Sequence, residues 1–122
     1  MSRYVDGFII PVKKNKLAAY KKMATLGRKV WMKYGALDYY ECVGTKLDNP
    51  WGIPFSKFSK LKPDETVIFA FIVYKSKSHR DQVTKKVHKD PLMQPENFKG
   101  EMPFDMKRFT TGEFKAIVWD SK

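Results

Sequence analysis

At 122 residues with 43% hydrophobic side chains, the chain is large enough for one domain with its own core and too small for two, so we expect residues 1–122 to form a single domain. This composition excludes a disordered chain, and no apolar run reaches the roughly 20 residues of a membrane span. The N-terminus lacks a signal-peptide core and the chain has one cysteine, so we expect a cytoplasmic protein without a membrane partner. The net charge of +11 leaves a polyanion partner open.

The N-terminal part of the chain predicts a strand followed by a long helix. Residues 4–12 alternate between two faces, and Asp6 is a carboxylate within this otherwise apolar strand. Apolar residues then recur at spacings of three and four over residues 17–34, which predicts an amphipathic helix of about five turns. Asn15 is the expected N-cap, and Gly35 lies where a left-handed residue would end the helix.

The middle of the chain predicts two further strands. Residues 36–45 form the second strand, and a short helical turn around Phe55 and Phe58 is expected within residues 53–61. Residues 66–75 give the strongest strand signal, because nearly all of them are β-branched or aromatic. The two faces of this strand are both apolar, with Phe69 and Phe71 on one side and their immediate neighbours on the other. A strand of this kind must be covered on both faces.

The C-terminal part predicts a helix, a loop and a last strand. Ser76 or Ser78 caps a helix that ends before Pro91. Residues 92–107 form an ordered loop, and residues 108–119 form the fourth strand. The loop side chains expected to find apolar pockets are Phe98, Met102 and Phe104. The resulting order βαββαβ predicts the α+β class and a ferredoxin-like fold, with a four-stranded antiparallel sheet and both helices on one face.

This topology covers the central strand on one face only. The other face would leave aromatic and β-branched side chains in water unless a second copy of the chain packs on it. We therefore expect a homodimer.

Four segments carry a resemblance to a known family. They are MSRYVDGFIIPV, KYGALDYYECVG, KPDETVIFAFIVYKSKSHRD and MPFDMKRF, and together they resemble the YbaA-like bacterial proteins, domain of unknown function 1428, nearly from end to end. The departures are residues 48–53 and 94–101, which look like variable loops, and the high lysine content. The resemblance implies a dimeric α+β barrel, a superfamily that includes small monooxygenases, isomerases and stress proteins. It implies no established chemistry.

Two carboxylates are candidate functional groups because each lies within an apolar strand. A buried carboxylate is costly, so Asp6 and Glu41 either pair with cations such as Lys107 or Arg108 or have raised pKa values suited to proton transfer. The alternative interpretation, a structural ion pair or a charge at a strand edge, is the one that the sequence favours for each carboxylate taken singly.

The expected strand order brings these groups together. With the first strand beside the third and fourth, Asp6 and Glu41 share one sheet face across Phe69 or Phe71. The fourth strand follows the segment that contains Asp105, Lys107 and Arg108. We therefore expect all five polar residues to form a ligand-binding cluster at one mouth of an aromatic-lined cavity.

Other reactive side chains indicate no cofactor or metal. His79 and His88 are nine residues apart, which places them on opposite sides of a helix, where both should be exposed and cannot share a metal ion. Cys42 points away from Glu41 and is expected to be a buried, inert thiol. The chain has no P-loop or Rossmann glycine pattern, so no nucleotide cofactor is predicted.

Two functions remain open. The first is a small-molecule binder or cofactor-independent enzyme that uses a cavity between the sheet and the partner subunit. The second is a non-enzymatic regulatory module that binds RNA or another polyanion through its lysines. Of the 24 basic residues 20 are lysines, which more often form a solvated surface, so the sequence favours the first function.

Overall fold

The computed structural model describes residues 2–95 and 102–120 and has the predicted α+β architecture, a four-stranded antiparallel sheet with helices packed on it. The strands are β1 (Tyr4–Lys13), β2 (Asp38–Val43), β3 (Glu65–Tyr74) and β4 (Thr110–Lys115), and the helices are α1 (Leu17–Lys33), α2 (Phe55–Phe58) and α3 (Lys77–Lys89). The strand order β2-β3-β1-β4 confirms the ferredoxin-like prediction. Within the described ranges, no helix is long and apolar enough to cross a membrane.

The core lies between β3 and the two long helices. Ile68, Ala70, Ile72 and Tyr74 alternate along β3 toward the helices, and each is at most 4% exposed. The helical residues buried against the sheet are Tyr20, Ala24 and Val30 of α1 with Val83 and Val87 of α3. Burying a large aliphatic or aromatic side chain contributes about 1.5–3 kcal/mol, so this face of β3 accounts for much of the stability of the protomer.

The opposite face of the sheet, here called the open face, carries large apolar side chains that contact water. Phe69 of β3 is 46% exposed, Tyr40 of β2 is 54% exposed and Phe114 of β4 is 59% exposed. The rings of Tyr40 and Phe71 stack with centroids 5.0 Å apart. Helix α2 covers part of this face, where the edge of Phe55 meets the ring of Phe69.

The helix boundaries agree with the predicted caps in two of three places. Ser76 caps α3, because its Oγ accepts a hydrogen bond of 3.1 Å from the backbone N–H of His79. Gly35 follows α1 with φ of 107°, the left-handed region that glycine tolerates best. The predicted Asn15 cap is wrong, because residues 14–16 form a 3-10 turn and α1 begins after Lys16 without a side-chain cap.

Two strands are shorter than predicted. β2 covers residues 38–43 rather than 36–45, and β4 covers residues 110–115 rather than 108–119. The end of β4 follows from its register, because Lys115 pairs with Tyr4, the first residue of β1. Residues beyond this pair pass the end of the partner strand, and Ile117 is 88% exposed. Phe98 lies outside the described residues, whereas Phe104 packs against the core as expected.

Asp90 joins the ends of the two long helices. This carboxylate is only 2% exposed and accepts hydrogen bonds from the Tyr34 hydroxyl at 2.6 Å and the Leu92 backbone N–H at 2.8 Å. Lys33 Nζ lies 3.2 Å away. The hydrogen bond from Tyr34, above the other contacts, holds the pKa of Asp90 below its usual value. The carboxylate is therefore a fully paired structural group.

His79 is half-buried rather than exposed as predicted. Its Nδ1 accepts a hydrogen bond of 2.9 Å from the backbone N–H of Lys75, and its ring meets the edge of Tyr74 at 6.0 Å. Burial, with a smaller contribution from Lys75 and Lys86, lowers the pKa of His79 below 6.5. The sequence spacing missed this because the first turn of α3 folds back over the end of β3.

The His79 environment predicts a pH-dependent stability. Because its folded pKa is lowered, the unfolded chain binds more protons, so the free energy of unfolding is fully present above pH 6.5 and falls as the pH drops through the folded pKa. Urea unfolding should give a lower free energy of unfolding at pH 5 than at pH 7.5. His79→Gln should remove this loss, whereas His88→Gln, at an exposed position, should retain it. A loss unchanged in His79→Gln would contradict the assignment.

Candidate functional site

Glu41 lies on the helix-covered face of β2, where it forms the centre of a polar cluster. The strand register places it opposite Ala70. Its Oε1 accepts a hydrogen bond of 2.5 Å from the Tyr20 hydroxyl of α1, and its Oε2 accepts one of 2.7 Å from the Tyr39 hydroxyl. Tyr39 and Glu41 are two residues apart on one strand and so share a face. The Glu41 carboxylate thus accepts hydrogen bonds from two phenol hydroxyls, one on α1 and one on β2.

Both phenols remain neutral hydrogen-bond donors. Burial, more than the negative charge of Glu41, raises the pKa of Tyr20 far above its ordinary value. Burial is also the largest cause of the raised pKa of Tyr39. A carboxylate oxygen can accept two hydrogen bonds, so each oxygen of Glu41 retains a second acceptor position. The cluster can therefore accept a further hydrogen bond or a proton.

A cavity of about 440 Å³ opens beside Glu41, between α1 and the β2 side of the sheet. Its lining residues are Leu17, Tyr20, Lys21, Ala24, Thr25, Arg28, Tyr39, Glu41, Val43 and Ile68. A second cavity of about 220 Å³ shares Tyr20, Tyr39 and Glu41 and continues toward Trp31 and Phe8. The sequence led us to expect a cavity between the sheet and a partner subunit. That position is wrong for these cavities, because both lie between the sheet and the helix of the same protomer.

Asp6 lies on the same face of the sheet as Glu41 but in a different cluster. It is 5% exposed, and its two oxygens accept hydrogen bonds of 3.1 and 3.3 Å from Arg80 Nε. The Tyr74 hydroxyl donates to Asp6 Oδ2 at 2.9 Å and accepts from Trp31 Nε1 at 3.1 Å. Asp6 is therefore a paired carboxylate that ties α3 to the sheet.

Arg108 pairs with Glu65 rather than with Asp6 or Glu41. Its Nη1 lies 2.6 Å from Glu65 Oε2 and its Nη2 lies 3.0 Å from Glu65 Oε1, so the pair is bidentate. The hydrogen bonds from Arg108 lower the pKa of Glu65 more than any other contact does. Arg108 Nη2 also donates to the carbonyl of Lys60 at 3.0 Å.

The predicted five-residue cluster is therefore wrong as a geometric unit. β4 is antiparallel to β1, so the segment before it, with Asp105, Lys107 and Arg108, lies at the far end of β1, where Lys13 pairs with Glu65. Asp6 pairs with Ile72, seven residues along β3 from Glu65, or roughly 23 Å. The Asp105 carboxylate accepts a hydrogen bond from the backbone of Lys107, and both side chains are exposed.

The prediction that Phe69 or Phe71 lies between Asp6 and Glu41 on β3 is also wrong. The register places Asp6 opposite Ile72 and Glu41 opposite Ala70, so the two carboxylates share the face of these small and aliphatic residues and not that of Phe69 and Phe71. The prediction that they share a face is nevertheless confirmed.

Cys42 points to the open face, opposite Glu41 as expected, but its thiol is exposed rather than buried. The reason is that β2 is an edge strand and the open face beside it is uncovered.

In residues 2–95 and 102–120, no three His, Cys, Asp or Glu side chains converge in a way that could hold a metal ion.

The outer surface of the helix layer is strongly basic, and two of its cations, Lys21 and Arg28, line the cavity. α1 contains five basic residues and no acidic residue, and α3 contains Asp81 as its single acidic residue. The exposed basic residues of the two helices are Lys21, Lys22, Arg28, Lys29, Lys33, Lys77, Lys85, Lys86 and Lys89. Both helices lie on the same face of the sheet, so these charges share one side of the molecule.

The fold and the site together define a small α+β protein of ferredoxin-like topology, with a carboxylate cavity between helix and sheet. The chain belongs to the DUF1428 family, because the model for "Protein of unknown function (DUF1428)" matches residues 3–106. It is 35% identical to the uncharacterized protein YbaA of Escherichia coli K12 over 116 residues, which cover 95% of this chain and 97% of that protein. The same values hold for YbaA of Shigella flexneri. The YbaA-like resemblance is therefore confirmed.

A designed protein, "De novo designed protein Foldit4", is a more distant structural match. It aligns with a TM-score of 0.44 and 11% identity, covering 96% of this chain and 99% of its own.

Proposed function

We propose that this protein binds a small organic ligand in the cavity beside Glu41 and does so as a homodimer. The observation that carries the proposal is the Glu41 carboxylate, which lies beside a cavity of about 440 Å³ with two phenols on its oxygens. Binding sites for small molecules are commonly concave, mostly apolar, between about 300 and 1,000 Å³ in volume and equipped with a few polar groups. The cavity meets each of these criteria.

The pairing of Glu41 supports a binding role over a purely structural one. Among the described residues, no lysine, arginine or histidine nitrogen lies within ion-pair distance of its carboxylate, whereas Asp6 and Glu65 each have an arginine. A charge that is removed from water without a counter-charge is costly, so its position at a cavity calls for a further partner. The ligand would supply that partner as a hydrogen-bond donor.

The same arrangement supports proton transfer without a cofactor. Glu41 would accept a proton from a bound ligand, and the hydroxyls of Tyr20 and Tyr39 would hold the carboxylate in a fixed orientation. A positioned carboxylate of this kind typically contributes a factor of about 10² to 10⁴ as a general base. The single cysteine, with its exposed thiol, supports a reducing, cytoplasmic compartment for this chemistry.

The open face supports the homodimer. Tyr40, Phe69, Phe71 and Phe114 present aromatic rings on this face, and the apolar loop residues Trp51 and Ile53, near α2 in sequence, are 85% and 74% exposed. Contiguous apolar patches of this kind mark interaction surfaces on soluble proteins. A second copy offers an identical apolar face. The cavity lies on the other side of the sheet, so its mouth would stay open in the dimer.

The dimer predicts a sedimentation mass of twice the chain mass at micromolar concentration. Phe69→Asp should give a folded monomer, because Phe69 is already 46% exposed in the protomer and the charge would be buried only in the dimer. Ile72→Asp should instead abolish folding, since Ile72 is 4% exposed in the core. Met32→Asp, at an exposed apolar position of α1, is the matched control and should remain dimeric. A monomeric wild-type chain would refute the dimer.

Ligand binding predicts that two carboxylate substitutions separate binding from stability. A thermal-shift screen of metabolites should yield a ligand of the wild-type protein, because a bound ligand stabilises the folded state with the logarithm of its saturation. Glu41→Gln should weaken that binding at least tenfold and change the free energy of unfolding by about 1 kcal/mol or less, since glutamine can still bond both phenols. Asp6→Asn should lower the free energy of unfolding by about 2 kcal/mol, because it breaks the buried ion pair with Arg80 Nε, while Arg80 Nη1 keeps its contacts with Asp81 and Glu113.

The control for this experiment is Asp38→Asn, which removes an exposed carboxylate from the opposite face of the same strand. It should affect neither binding nor stability. A large loss of stability in Glu41→Gln with unchanged ligand affinity would show that the cluster is structural.

Polyanion binding is the second candidate, and the observation that favours it is the basic surface of the helix layer. A single-stranded RNA of mixed sequence should bind weakly at low salt, with an affinity that falls log-linearly between 50 and 200 mM salt as counterions are released. Substituting Lys85 and Lys86 by Gln should reduce the slope. Tight binding to one defined RNA at physiological salt would instead place this function first.

A further inference from the structure

The Glu41 cavity has a charge gradient from its mouth to its floor. Its exposed lining residues include two cations, Lys21 and Arg28, whereas its floor is formed by Tyr20, Ala24 and Ile68, each at most 9% exposed. Glu41 lies at this floor with the two phenols. A ligand that enters therefore meets positive charge first, an apolar wall next and a negative acceptor last.

The two cations at the mouth have no acidic partner within the described part of the chain. Among the described residues, no carboxylate lies within 4 Å of Lys21 or Arg28, whereas Arg80 and Arg108 both form ion pairs. Arginine offers five donors in a planar fork that matches a carboxylate, so an unpaired arginine at a cavity mouth is well suited to hold one. The Arg28 guanidinium is the principal candidate for this role.

The geometry of α1 directs these cations over the cavity. Lys21, Thr25 and Arg28 are spaced by four and three residues and so form one stripe along the helix. Long helical side chains lean toward the N-terminus, which carries Arg28 back over Ala24 and toward the Glu41 end of the cavity. The Cα atoms of Tyr20 and Arg28 are roughly 12 Å apart along the helix axis, so the span left for a ligand is that of a small molecule.

We propose that the cavity selects small organic anions, in particular a monocarboxylate with an apolar body and a hydrogen-bond donor at its far end. Arg28 and Lys21 bind the carboxylate at the mouth, Leu17, Ala24 and Ile68 contact the body, and Glu41 accepts the hydrogen bond from the donor. This assignment of the ligand class rests on the proposed ligand-binding function of the cavity. The basic surface of both helices increases the local concentration of anions at the mouth.

Three related compounds test the assignment. The probe is 3-(4-hydroxyphenyl)propionate, which has a carboxylate and a hydroxyl at opposite ends of an apolar ring. Its amide removes the negative charge, and 3-phenylpropionate removes the donor. Dissociation constants from two-dimensional NMR titrations of the full chain should show the hydroxylated carboxylate binding about tenfold tighter than either analogue, because a hydrogen bond to a charged group contributes roughly this factor.

Single substitutions test which residue binds the carboxylate of the probe and which residue binds its hydroxyl. Arg28→Gln should weaken binding of both carboxylates about tenfold and leave the amide unchanged. Glu41→Gln should weaken binding of the two hydroxylated compounds and leave 3-phenylpropionate unchanged. Lys29→Gln removes the same charge from the neighbouring exposed position, which does not line the cavity, and should alter none of the three constants.

The possible results distinguish a failure of the anion assignment from a failure of the proposed ligand binding by the cavity. If the amide binds as tightly as the carboxylate and Arg28→Gln changes neither, the cavity binds ligands but the anion assignment is overturned. If Lys29→Gln weakens the carboxylates as much as Arg28→Gln does, the general charge of the helix layer is responsible and the assignment to Arg28 is overturned. If none of the three compounds perturbs the cavity residues at millimolar concentration, both the ligand class and the cavity function are overturned.

Discussion

The requirement that β3 be covered on both faces is the constraint on which the rest of this structure depends. The strand is the second from one edge of the sheet, and its side chains are apolar in both directions. α1 and α3 cover Ile68, Ala70 and Ile72, which fixes the position of both helices relative to the sheet. The other direction carries Phe69 and Phe71, and only the short α2 is seen to pack there in the described chain. α2 leaves part of this side accessible to water, since Phe69 remains 46% exposed in the protomer.

Three carboxylates of the sheet illustrate how partners decide the role of a charged side chain. Asp6 and Glu41 lie on the helix-covered face, and Glu65 lies on the open face, in the same alternation as Phe69 and Phe71. Asp6 and Glu65 each have an arginine at hydrogen-bonding distance, and each connects the sheet to another part of the chain. Glu41 has two phenols in place of a cation and a cavity beside it. An ion pair neutralises a carboxylate, whereas two phenols solvate it and leave its charge in place. Asp6 and Glu65 are therefore neutralised structural groups, whereas Glu41, which is also less buried, keeps a charge that faces the cavity.

The sequence predicted the topology because alternation in β3 and periodicity in α1 are strong local signals. It also predicted that Asp6 and Glu41 share a sheet face, which requires β1 and β2 to pair with β3 in registers of the same parity. It could not give the register, and a register error moved the expected contact from Ala70 and Ile72 to the neighbouring phenylalanines. The separation of Arg108 from Asp6 was accessible in principle, because antiparallel pairing with β1 sends the residues before β4 to the far end. The Tyr20 contact with Glu41 was not accessible, because it depends on how α1 lies on the sheet.

The alternation of side chains along β2 has a consequence for how the protein can vary. Tyr39, Glu41 and Val43 face α1 and the cavity, while the residues between them face the open side of the sheet. Six consecutive residues thus encode two surfaces, because successive side chains of the strand point to opposite faces of the sheet. A substitution that reshapes one surface leaves the side chains of the other in place. Homologues can therefore diverge in the shape and chemistry of the cavity wall while keeping the opposite surface constant. A comparison of variation at odd and even positions of β2 would measure the selection on each surface separately.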